Sequence, residues 1–157
     1  MPMSQDDSKY QAGEPRRPEQ LDDPTLIISS DTRRAQRIPP GQSRTRKWPV
    51  LHYGRAPSVP LDRWKFRVYG EVENPLEFTW KEFQALPRVK VYADFHCVTR
   101  WSRLDNVWEG VSVHEIIARA KVNPTAKYVI AHGYDDGWTT NLPYADFQSE
   151  DALLADI

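Results

Sequence analysis

The residue types able to do chemistry gather in one stretch, Asp94-Phe95-His96-Cys97-Val98-Thr99-Arg100-Trp101-Ser102, which holds the single cysteine of the chain. Thiolate is the reactive, metal-binding form of cysteine, and nearby positive charge favours it. Arg100 and Arg103 would therefore promote ionisation if they fold back on Cys97. Thiolate suits soft and high-valent metals, and one protein sulfur is enough where a cofactor brings the other ligands. Other readings stand beside a metal ligand. A free cysteine is often just a small buried filler. A cysteine nucleophile served by His96 meets a geometric obstacle, because neighbours on a strand point to opposite faces; His52 or His132 would have to come across the fold. Zinc is weaker still, since Cys97, His114 and His132 match no compact ligand spacing and a second cysteine is missing. His114 reads as a solvated residue of a helix's first turn, His132 as a turn residue beside Gly133, and His52 as packed next to Tyr53.

The elements that must position this stretch follow from periodicity. Trp64, Phe66 and Val68 alternate with Lys65, Arg67 and Tyr69, a half-buried strand. Glu73-Asn74-Pro75 turns the chain and Leu76-Glu77-Phe78 resumes the alternation, so a hairpin is expected. Thr79-Trp80-Lys81-Glu82 has the form of a capping box opening a short helix that buries Trp80, Phe83 and Leu86 and stops at Pro87. Val89, Val91, Ala93 and Phe95 then alternate with charged and polar residues in a strand that delivers His96-Cys97 at its end. After a loop from Val98 to Val107, Ser112-Val113-His114-Glu115 opens a second helix with Val113, Ile116, Ile117 and Ala120 on one face, closed by Asn123-Pro124. Tyr128-Val129-Ile130-Ala131 reads as a short buried strand, Asp135-Asp136-Gly137 as a turn, and Trp138 to Leu142 as the returning strand. Strands with short capped helices between them predict an α+β fold with a mixed β-sheet.

The totals bound the function. The chain has 157 residues, and the first 47 hold six of its thirteen prolines but none of its six tryptophans. Residues 1–46 mix charge, Ser, Gln and Pro around one apolar patch, Leu26-Ile27-Ile28. Such a segment offsets little of its ordering entropy, which predicts a disordered tail before one domain over 47–157. A net charge of −1 gives no global attraction to nucleic acid or to acidic membrane surfaces. A lone cysteine makes no internal disulfide, and no stretch approaches the roughly 18 apolar residues of a membrane helix, so a cytoplasmic protein is expected.

Asp94 to Ser102, followed by Trp108-Glu109-Gly110-Val111, Tyr128-Val129-Ile130-Ala131-His132 and Thr139-Thr140-Asn141-Leu142-Pro143, resembles the molybdopterin-binding domain of the sulfite oxidase family. The likeness is greatest to its short prokaryotic members, related to the molybdenum subunit of the methionine sulfoxide reductase. The resemblance implies a molybdenum-molybdopterin cofactor with Cys97 as the protein ligand to the metal. It places His52, Tyr53 and Gly54 against the pterin and the turn at His132-Gly133 towards its phosphate. It implies oxygen-atom transfer on a small sulfur- or nitrogen-containing substrate, with a separate electron donor or acceptor. Arg100 and Arg103 lie near, without matching, the position of the arginine that holds the anion in sulfite-oxidising members. The family domain also runs on past the position of Ile157, so a truncated domain is expected. Two rivals keep the fold and change the chemistry: a non-catalytic remnant or interaction module without the cofactor, and a metal-free enzyme using Cys97 as nucleophile.

Overall fold

The computed structural model describes residues 18–49, 54, 57–134 and 137–156. In chain order the elements are β1 (Ile27–Ile28), β2 (Ser43–Arg44), β3 (Lys65–Val68), β4 (Leu76–Thr79), α1 (Trp80–Gln84), β5 (Arg88–Cys97), β6 (Trp101–Ser112), α2 (Val113–Ala120), β7 (Tyr128–His132), β8 (Thr139–Pro143), α3 (Tyr144–Phe147) and β9 (Leu153–Ala155). Strands with a few short helices make this an α+β protein, and its largest sheet is mixed, with order β1-β5-β6-β2 and β9 added on β6. No helix among the described residues is long and apolar enough to cross a membrane. By compactness the chain divides into two units, one made of the segment up to residue 50 with Lys90–Trp108, the other of residues 51–89 with Glu109 onward.

The first unit is built on β5 and β6. β1 joins β5 in parallel, with Ile27 beside Val91 and Ile28 beside Tyr92, and β2 joins β6 in parallel, with Ser43 beside Trp101 and Arg44 beside Ser102. Residues 18–46 were expected to be a disordered tail; instead they supply both flanking strands and two 3-10 turns, Pro18–Gln20 and Ser30–Arg33. The reason is that their few apolar and hydrogen-bonding groups find partners far along the chain. Val91 and Tyr92 are fully buried, Ser29 donates its amide to the Tyr92 carbonyl at 3.0 Å, and Thr32 is buried with its hydroxyl on the Ser29 carbonyl at 2.7 Å. Likewise, the loop expected from Val98 to Val107 is mostly strand, because β6 begins at Trp101. Its Arg103, Asp105 and Asn106 look like loop residues by type, but each is held by a specific partner.

The second unit has an apolar core. β3 and β4 pair antiparallel, with Phe66 opposite Phe78 and Val68 opposite Leu76. The capping box is present: the Thr79 hydroxyl accepts from the Glu82 amide at 3.3 Å and the Glu82 carboxylate accepts from the Thr79 amide at 2.8 Å. The helix that it starts places Phe83, and Leu86 just beyond it, against Val111 and Ile116, with Trp64, Phe66, Phe78, Trp80 and Leu154 packed around them. Burying a side chain such as Phe83 contributes about 2–3 kcal/mol. α2 opens with Ser112 accepting from the His114 amide, a cap without the return bond of a full box. It ends at Lys121, in the left-handed region at φ 51°, two residues before the expected stop at Asn123-Pro124. β9 lies so close on β6 that a Cβ at Gly110 would stand 2.1 Å from the Leu154 carbonyl oxygen, so only glycine fits there.

β7 and β8 pair over five residues, Tyr128 with Pro143 through His132 with Thr139. The buried strand expected at Tyr128–Ala131 is instead exposed, with Tyr128 at 69% and Ile130 at 60%. Among the described residues this hairpin has no third strand, which explains why its apolar side chains are uncovered.

Candidate functional site

Cys97 ends β5, and the chain reverses through Val98 and Thr99 to enter β6. The Arg100 amide donates to the Cys97 carbonyl at 3.0 Å, and Arg100 takes a left-handed φ of 68°. That is the form of a three-residue hairpin loop, in which the last residue must turn left-handed. The turn presents a free, half-exposed thiol beside Val98, which is almost wholly exposed. The thiol sits 3.2 Å from the Thr99 hydroxyl. That hydroxyl first, then the backbone amides of Thr99 and Val98, hold the Cys97 pKa below its ordinary value against a smaller opposing effect of burial. Donors aimed at sulfur stabilise the anion. A thiolate held this way fits a soft or high-valent metal.

This changes the expected source of the activation. Arg100 and Arg103 were expected to favour the thiolate, but Arg103 is engaged elsewhere. Its Nε donates to the Arg46 carbonyl at 3.2 Å, its Nη1 to Asn106 Oδ1, and its guanidinium lies 4.6 Å from the Trp48 ring centre. Trp48 in turn meets Phe95, Trp101 and Trp108 edge-on, so Arg103 caps an aromatic cluster. Arg100 contributes its backbone to the turn, and no ion pair of its side chain occurs among the described residues.

Behind the turn lies a polar network. Arg37 grips Asp94 with two bonds, Nε to Oδ2 at 2.8 Å and Nη2 to Oδ1 at 2.5 Å, with Asp94 fully buried and Arg37 nearly so. Asp105 accepts from Arg37, from Arg44 and from the Tyr92 hydroxyl, and its own amide donates to Asp94. Burial works against the charge on Arg37, yet the Asp94 carboxylate raises its pKa above the ordinary value. Burial, then Asp105, pushes the Tyr92 hydroxyl up to about 12. Nearer the turn, Asp31, Asp94 and His96 bring donor atoms within 4.8 Å of one another. A cation there would compete with Arg37 for both Asp94 oxygens, so the group reads as part of the ion-pair network.

His52 and Tyr53 lie outside the described residues. His132 ends β7 in the second unit, exposed, with its ring stacked 6.3 Å from that of Tyr69. Residue types had not pointed to Gln42 or Arg37, which lie in the stretch expected to be disordered. Thr99 and Ser102 were inside the quoted motif without a role; a hydroxyl two residues after a cysteine is the signal that could have marked Thr99.

Comparison with known proteins bears on the same residues. Residues 53–156 match the model of the oxidoreductase molybdopterin binding domain. The chain is 47% identical over 120 residues to the uncharacterized oxidoreductase YuiH of Bacillus subtilis, an alignment covering 76% of this chain and 60% of that protein. It is 31% identical over 102 residues to the catalytic subunit of the protein-methionine-sulfoxide reductase MsrP of Campylobacter jejuni, covering 65% of this chain and 32% of the relative. The chain thus spans about 60% or less of the length of the curated relatives that it matches. Among solved structures, the sulfane dehydrogenase SoxCD of Paracoccus pantotrophus superposes with a TM-score of 0.58 at 22% identity, over 66% of this chain and 31% of that one, a likeness of fold. With two thirds of its length matched by one domain model, and with the motif around Cys97 inside that match, the chain belongs to the oxidoreductase molybdopterin-binding domain family.

Proposed function

We propose that this chain is the molybdenum-molybdopterin-binding part of an oxidoreductase that moves an oxygen atom to or from a small sulfur- or nitrogen-containing substrate, with Cys97 as the protein's ligand to the metal. The observation that carries the reading is the Cys97 turn, a half-exposed thiol with a hydroxyl and two backbone amides favouring its anion. Membership of the family supports the cofactor. When bound, molybdenum-molybdopterin supplies a two-electron change coupled to oxygen-atom transfer. The chain's own residues hold and orient. Cys97 offers the sulfur, Thr99 and the turn amides favour its anion, and the hairpin fixes where it points. Arg100, at the turn itself, is the cation best placed to meet an anionic substrate. Arg103 serves the aromatic cluster, and its contacts favour a supporting role over a substrate-facing one. By family likeness, His52, Tyr53 and His132 belong to the cofactor's surroundings, and the electrons go to or come from a separate carrier.

The test is elemental analysis for molybdenum, with fluorescence of the oxidised pterin, on chain produced in cells that make the cofactor. About one molybdenum per chain, lost in Cys97→Ser with the fold intact, is expected for a single thiolate ligand. Molybdenum retained by Cys97→Ser would remove the cysteine from the metal. Inactivation by thiol alkylation in metal-free, active protein would favour the nucleophile chemistry instead.

A further inference from the structure

We propose that Gln42 is a positioning residue for the metal-ligand cysteine, gripping the Cys97 carbonyl from a segment that lies outside the family match; its meaning for the metal rests on the reading above, but the contact itself does not. The Cys97 carbonyl has two acceptor directions. The Arg100 amide takes one at 3.0 Å and the Gln42 side-chain Nε2 takes the other at 3.3 Å. A carbonyl only accepts, so the Gln42 amide must turn its NH2 end to Cys97 and its Oε1 away. Oε1 then accepts from the Ser102 hydroxyl at 2.5 Å, and Ser102 is fully buried. Because that hydroxyl donates its single proton to Gln42, it must accept from His96 Nδ1, 2.9 Å away, and neutral His96 carries its proton on Nδ1. One directional chain therefore runs from His96 through Ser102 and Gln42 to the cysteine.

The backbone brings Gln42 to this place without the help of its side chain. Ser43 donates its amide to the Arg100 carbonyl at 3.0 Å and Thr45 to the Ser102 carbonyl at 2.8 Å, so β2 is seated along β6 by main-chain bonds. The Gln42 side chain goes on to the Cys97 carbonyl. What it holds is a peptide plane: the Cys97 carbonyl and the Val98 amide belong to one rigid unit. The Cys97 Cα lies in that same plane, so fixing the oxygen fixes the backbone from which the thiol projects. Gln42 thereby positions the cysteine without touching its sulfur.

The experiment uses Gln42→Leu, which keeps bulk and removes the amide, read first in metal-free chain. We expect a chain that folds, with a lower melting temperature because the buried Ser102 hydroxyl loses its acceptor, and with amide hydrogen exchange at Arg100 faster by about tenfold, the size set by one lost hydrogen bond. Unchanged exchange at the Arg100 amide in folded Gln42→Leu overturns the proposal. Should that variant not fold, the unaltered chain decides. The Gln42 side-chain amide protons are expected to be protected and unequal, and rapid exchange with solvent overturns the contact. In loaded protein, Gln42→Leu should change the molybdenum paramagnetic resonance spectrum, which reports the sulfur's orientation. Faster exchange in a chain that never takes up molybdenum would support the grip and defeat the metal reading. Molybdenum held at Cys97 with exchange and spectrum unmoved by Gln42→Leu would do the reverse.

Discussion

The two units of this chain are stabilised by different physics. Around α1 and α2 the core is apolar, Phe83, Leu86, Val111 and Ile116 among half-buried tryptophans and phenylalanines. Around the Cys97 turn, the buried side chains of Arg37, Asp94, Ser102 and Asn106 add a polar network to the buried Val91, Tyr92 and Leu104. Apolar packing is non-directional and tolerates small shifts. Hydrogen bonds and ion pairs fix angles, and are costly when one partner is lost. The unit that carries the thiol is thus the one whose geometry is specified bond by bond.

Four substitutions test that contrast, in falling order of effect. Asp94→Ala leaves the Arg37 guanidinium buried without its main partner and should cost about 4 kcal/mol in denaturant unfolding, with the Cys97 turn disturbed as well. Replacing the pair together, Arg37→Met with Asp94→Leu, should cost much less than the single change, because both charges leave. Next, Ile116→Ala in the apolar core should cost about 3 kcal/mol through its cavity, while the alkylation rate of Cys97 in the folded chain stays as it was. A change in thiol reactivity with this variant would blur the division drawn here.

The third acts on the thiol and hardly on stability. Thr99→Val removes the hydroxyl that contributes most to the depressed Cys97 pKa, so the midpoint of the pH–alkylation profile should move back up and the neutral-pH rate should drop. The sign follows from the folded chain favouring the anion. The stability tied to the thiolate is present above the thiol's ordinary pKa and is lost as pH falls through the folded value. If the profile moves with Arg103→Met rather than with Thr99→Val, the arginine explanation returns. The smallest effect is at Arg100, whose φ of 68° is strained for any residue but glycine, Asn or Asp. Arg100→Gly should raise stability by about 0.5 kcal/mol while removing the turn's cation, and a reaction on an anionic substrate should slow.

Much of the apolar unit was legible in the sequence because its signals are local. The alternation around Phe66, the Thr79–Glu82 capping box and the face of α2 each span a few residues, and each is found as expected. Cys97 at the end of a strand was legible for the same reason. Burial of Tyr128 and Ile130 was not, since an apolar run says nothing about whether a third strand exists to cover it. The polar unit was the least legible. Arg37 meets Asp94 across 57 positions and Gln42 meets Ser102 across 60, and a window of charged and polar residues looks the same whether or not such partners exist. The donors that activate the thiol were missed because two of them are main-chain amides, which no residue type announces.

Those long separations also set an order of events. The hairpin of β5 and β6 closes within microseconds once both strands exist, whereas parallel pairing of β2 with β6 over 58 positions is slow. During synthesis at about 5–20 residues per second, Gln42 waits about 3–12 s for Ser102 to be made. The cysteine's turn is therefore expected to form before its grip arrives, and pulse-labelled hydrogen exchange during refolding should show protection at Arg100 ahead of that at Ser43 and Thr45.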